Sequence, residues 1–160
     1  MSEAAAATQP SRALVSAFVT VMALWIGGSV FFSALVLPVL FINMPSPSEA
    51  GAVAALLFPI YFRAGLACSL IALVLALVLA RGAGRLWQAA VLVVAVMAAV
   101  QAYSALLLHP EMAGLRGRPE HVERFQALHR RSVQLNNVVL AAGMALLLSS
   151  GVLLLGRRER

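Results

Sequence analysis

The chain has 160 residues, 62% of them hydrophobic, with a mean hydropathy of +0.93 and a formal net charge of +6. A water-soluble fold of this size cannot hide that much apolar side chain, so composition excludes a soluble globular domain and points to an integral membrane protein. All twelve basic residues are Arg and all six acidic residues are Glu; the Arg residues flank apolar runs, as topology and headgroup contacts do, and are not clustered as in a nucleic-acid reader.

Residues 1–12, MSEAAAATQPSR, form a polar, Ala-rich tail. The apolar run that follows, about 13–42, far exceeds the ~7–15 residues of a signal-peptide core and reads as an uncleaved first span. Ser16, Thr20, Gly27, Phe31, Ala34 and Pro38 share one face of it, small enough to be a packing seam, and Pro38 is expected to kink or end the helix. Asn43 to Gly51 is a loop by its Pro, Ser and Asn content and carries no Arg.

The second apolar run covers 52–80, interrupted by Pro59 and Arg63. Two readings of Arg63 stay open. Its guanidinium snorkels to the interface beside Tyr61 and Phe62, or it faces a polar interior and pairs with Glu111, Glu120 or Glu123. Gly65, Ser69, Ala72 and Ala76 make a small packing face. The lone Cys68 cannot form an intrachain disulfide and reads as a small buried hydrophobe. RGAGR, 81–85, is a tight basic turn. The third run, 86–108, carries Gln101 and Ser104, polar groups suited to interhelical hydrogen bonds.

The long polar connection, 109–131, holds all three His residues, three Glu and five Arg. Its part after Pro119 has a helix-start signature, with Pro in the first turn and Glu120 and Glu123 favourable to the dipole. It runs into the fourth span, 132–155, and the chain closes on a basic tail, 156–160. At about 100° per residue, Phe125, His129, Ser132 and Asn136 fall on one helical face, which His121 and Gly143 extend. A polar stripe therefore enters the membrane, and polar groups there need partners. One set of partners makes His129, Ser132 and Asn136 a hydrogen-bonded lock to Gln101, Ser104 or Tyr61.

The expected fold is all-α, a four-helix integral membrane bundle whose fourth helix extends beyond the bilayer at its N-terminal end. Arg12, Arg81, Arg85, Arg157, Arg158 and Arg160 place both termini in the cytoplasm of a multi-pass cell-membrane protein, against the five Arg of the third connection.

The motif LFPIYF (Leu57–Phe62), Pro110, and the spacing Phe125–His129–Ser132–Asn136 resemble the transmembrane protein 205-like family, whose bacterial members are four-helix membrane proteins grouped as a domain of unknown function. Trp25–Gly27 and Met44-Pro45 fit it more loosely. The association of a eukaryotic relative with platinum-drug resistance implies export or trafficking. The chain departs from that pattern at Arg63, where the family pattern has His, and at Ser104, where it has Asn.

The chain has no Asp, no phosphate-cradling Gly loop, no nucleophile elbow and no paired Cys, so no soluble-enzyme signature is present. The metal-ligand candidates are His109, Glu111, His121 and His129. His121 and His129 are about 12 Å apart along a straight helix, too far for one ion, so a metal site needs His109 or another helix. Haem held by two His on different helices is a further option. The working site is a polar intramembrane cluster of Arg63, Gln101, Ser104, His129, Ser132 and Asn136, with His109 and Glu111 at its mouth. It suits a small membrane component handling solute or metal stress. The rival readings are a metal- or haem-binding membrane redox protein and a structural or assembly subunit with no ligand. The lipid bilayer is the expected partner. A bundle this small seldom encloses a pore alone, so a homo-oligomer is compatible with the sequence, and nucleic acid is not.

Overall fold

A computed structural model describes residues 11–81 and 85–155. The terminal tails up to residue 10 and from residue 156, and the centre of the basic turn at 82–84, lie outside the described residues. Four helices, α1 (Arg12–Asn43), α2 (Pro47–Ala80), α3 (Arg85–Leu115) and α4 (Val122–Leu155), are long and apolar enough to cross a membrane, and no strand occurs among the described residues. The 34 residues of α2 span about 51 Å, well beyond a ~30 Å hydrocarbon core, so its ends project past it.

The core runs along α1 at helical spacing. Val15, Phe18, Met22, Trp25 and Ile26 are buried, and Phe18 meets Trp87 of α3 edge to face at 5.4 Å. On α2, Gly65, Ser69, Ala72 and Ala76 are all buried, and these small side chains let neighbouring backbones approach closely. The small-residue face of α1 behaves differently. Ser16, Thr20, Gly27, Phe31, Ala34 and Pro38 are all exposed, and no atom lies within 4 Å of where a Cβ on Gly27 or Gly28 would stand. That face is therefore no seam within the bundle, because the larger apolar side chains of α1 bury more contact area on the other side.

Helix ends depart from the sequence expectations in both connections. Ser46 caps α2: its Oγ accepts from the Glu49 amide at 3.2 Å and donates to the Glu49 carboxylate at 3.0 Å, with Pro47 in the first turn. The loop expected over 43–51 thus shrinks to three residues between α1 and α2. The expected polar connection 109–131 is mostly helical: α3 continues to Leu115, Gly117 turns the chain at φ +73°, and a single 3₁₀ turn at Pro119–His121 leads into α4.

Pro38 and Pro110 neither end nor break their helices. Each follows a five-residue π-helical turn, Phe32–Val36 in α1 and Ser104–Leu108 in α3. The amides of Leu37 and His109 reach back five residues to Phe32 and Ser104. A proline ring collides with the carbonyl four residues before it, and the wider turn makes room for it. Pro59 sits inside α2 without such a turn and deprives the Ala55 carbonyl of its intrahelical donor.

Candidate functional site

The three prolines lie around one end of the bundle, and a cavity of about 260 Å³ opens there among all four helices. The first π turn supplies Ser33 and Phe32 to its wall; α2 supplies Tyr61, Phe58 and Phe62, around Pro59; α3 supplies His109, directly after the second π turn. From α4 come His129, Ser132 and Asn136, spaced to share one helical face.

Hydrogen bonds tie the helices together across this cavity. The Tyr61 hydroxyl donates to Asn136 Oδ1 at 2.8 Å, and Asn136 Nδ2 donates to Ser33 Oγ at 3.5 Å. His109 Nε2 and Ser132 Oγ are 3.1 Å apart. Asn136 therefore links α4 to α2 and α1, and Ser132 links it to α3. Aromatic contacts hold the partners in place: Phe32 stacks on Tyr61 at 4.6 Å, and Phe62 lies 4.0 Å from the His109 ring. Nearer the end of the bundle, His129 stacks parallel to Phe125 at 6.3 Å, and the Arg116 guanidinium lies over the Phe125 ring at 5.9 Å. At the far end of the stripe Gly143 is buried, and a Cβ there would overlap Ile26; the face that begins polar ends as close packing of α4 on α1.

The structure divides the residues that the sequence grouped. His129, Ser132 and Asn136 share the cavity, and His109 lines its interior instead of standing only at a mouth. Arg63 does not reach it. Two residues from Tyr61, it points about 200° away around α2, is exposed, and lines a separate cavity of about 300 Å³ between α2 and α3 with His109 and Arg116. Gln101 is buried against α2, where its amide meets the Phe62 carbonyl at 3.5 Å and covers Gly65. Ser104 is buried in the second π turn. Glu111 is held by Arg124 at 2.5 Å, the only ion pair among the described residues, so neither it nor Glu120 nor Glu123 pairs with Arg63. No three His, Cys, Asp or Glu side chains among the described residues come together as a metal site, and the set His109, Glu111, His121 and His129 is dispersed over separate contacts.

Ser33 and Arg116 went unmarked in the sequence. Ser33 is one of many serines, and only the π turn before Pro38 signals it, since such turns recur at functional sites.

Residues 20–121 match the model of a domain of unknown function, DUF4149. The chain belongs to this DUF4149 family. The match takes in α2, α3 and most of α1, and with them Ser33, Tyr61 and His109; Ser132 and Asn136 of this DUF4149 protein lie beyond it. No curated protein and no solved structure matches the chain.

Proposed function

We propose that this DUF4149 protein binds a small, uncharged polar solute in the cavity bounded by Ser33, Tyr61, His109, His129, Ser132 and Asn136, and acts in solute stress from the cell membrane. The observation that carries this reading is the cross-helix network itself. Hydroxyls, an amide and imidazoles converge on one space in an otherwise apolar bundle, where polar groups are costly and mark function. No carboxylate or guanidinium lines the space, so its chemistry favours hydrogen-bonding solutes over ions. The resemblance to the transmembrane protein 205-like family, with its link to drug resistance, supports export as the direction of action. The Arg-free connection between α1 and α2 supports termini in the cytoplasm and, with them, a cavity toward the outer leaflet.

The test is a deletion strain challenged with metal salts and small polar drugs, complemented by the parent chain or by Asn136→Leu at matched membrane levels. The expected result is altered sensitivity to at least one uncharged polar drug, with the metal salts as the contrast, restored by the parent and not by Asn136→Leu. Unaltered sensitivity across the panel overturns the proposal. Restoration by a thermally weakened Asn136→Leu favours the purely structural reading, in which the network only locks α4.

A further inference from the structure

The cavity between α2 and α3 has a chemistry unlike that of its neighbour. Its polar groups are Arg63, Arg116 and His109, it has no acidic residue in its wall, and the rest of the lining is apolar. The two cavities share only Phe58, Phe62 and His109, which form the partition between them.

Among the described residues neither arginine has an acidic partner, because the only ion pair there joins Arg124 to Glu111. Arg116 spends one amino group on the Gly51 carbonyl, and its Nε is buried with no hydrogen-bond partner at all. A buried guanidinium N–H without an acceptor is costly, so the position becomes more favourable when something supplies one. Pro59 adds to the polarity of the same wall, since it strips the Ala55 carbonyl of its helical donor. Arg63, exposed on the outside of α2, stands 17 residues before the end of that helix, at the outer limit of what the hydrocarbon core covers. Leu66 and Leu106 continue the lining about one turn toward the bilayer centre, and Leu106 is 64% exposed.

We propose that this cavity is a lateral site for an anionic phospholipid, with the phosphate taken by Arg63, the polar headgroup reaching outward to Arg116, and an acyl chain lying along Leu66 and Leu106. Two unpaired cations without a neighbouring acid call for an anion, and guanidinium groups match the oxygens of a phosphate. An apolar groove continuing inward from the cations calls for a hydrocarbon tail on the same molecule. Basic pockets between membrane helices bind lipid headgroups on this principle. The site is separate from the solute cavity and does not depend on its reading.

The experiment is native mass spectrometry of the delipidated full-length chain in detergent, titrated with phosphatidylglycerol, phosphatidylcholine or inorganic phosphate. Phosphatidylglycerol is expected to bind in preference to phosphatidylcholine. Arg63→Gln and Arg116→Gln should each weaken it about fivefold and the pair about 25-fold, while Arg85→Gln at the opposite end leaves it unchanged. Equal binding of the two lipids, or undiminished phosphatidylglycerol binding in the double variant, overturns the proposal. So does displacement of the lipid by millimolar inorganic phosphate with the same arginine dependence, which assigns the site to a free anion. If Arg116→Gln does not fold, because it loses its hold on Gly51, the exposed Arg63→Gln decides alone.

Discussion

The Tyr61 hydroxyl of α2 donates a 2.8 Å hydrogen bond to the side-chain oxygen of Asn136 on α4, 75 residues away. Within a membrane, such a bond is worth about 0.6 kcal/mol on average and up to about 1.7 kcal/mol. A double-mutant cycle of Tyr61→Phe and Asn136→Ala, read by reversible unfolding in mixed micelles, should return a coupling in that range. Additive losses would mean that the two side chains stabilise the bundle separately.

Gly65 and Gly27 give opposite expectations for the same substitution. A Cβ on Gly65 would press on the Gln101 amide, with Gln101 Cδ 3.0 Å away and Trp25 Nε1 3.2 Å away, both on buried residues. Gly65→Ala should therefore destabilise by about 1–3 kcal/mol through overpacking. Gly27 has nothing within 4 Å of that position, so Gly27→Ala should be neutral or slightly stabilising. Thermal unfolding of the two variants side by side checks the contrast.

The Glu111–Arg124 pair has good geometry and little expected weight. Its side chains are 39% and 66% exposed, and a solvated ion pair contributes about 0–1 kcal/mol. Glu111→Gln should move the unfolding free energy by less than about 0.5 kcal/mol. A loss of several kcal/mol would show that Glu111 has a further partner.

Pro110 sets the direction in which His109 points. With Pro110→Ala the wide turn at Ser104–Leu108 can close to an ordinary helical turn, rotating the end of α3 by about 100°. In a Cys68→Ser background, oxidative cross-linking between His109→Cys and Ser132→Cys should be efficient with Pro110 present and fall sharply with Pro110→Ala. Equal cross-linking in both would show that the π turn does not depend on the proline.

Ser132 and Asn136 were legible as a face because helical periodicity needs only one stretch of sequence, and Tyr61 could be foreseen as a hydrogen-bond partner of that face. Arg63, Gln101 and Ser104 were grouped with them wrongly. Each is polar in an apolar run, but the run does not say which side of its helix meets which neighbour. The small face of α1 around Gly27 makes no seam within the bundle for the same reason: small residues can approach a partner, and the bulkier Phe18, Met22 and Ile26 took that contact instead.

The sequence alone, through the length and order of its apolar runs, determined that this chain is a membrane-embedded bundle of four helices, since about twenty consecutive apolar residues have few stable homes outside a bilayer. It also determined that a polar stripe enters the fourth helix. The tertiary structure decided how the polar groups divide: Ser33, Tyr61, His109, Ser132 and Asn136 around one cavity, Arg63 and Arg116 around another. That division follows from a rotation of about 200° between residues 61 and 63 and from two π turns that re-aim the helices at Pro38 and Pro110. Such rotations set contacts between residues tens of positions apart, and only the packed helices specify them.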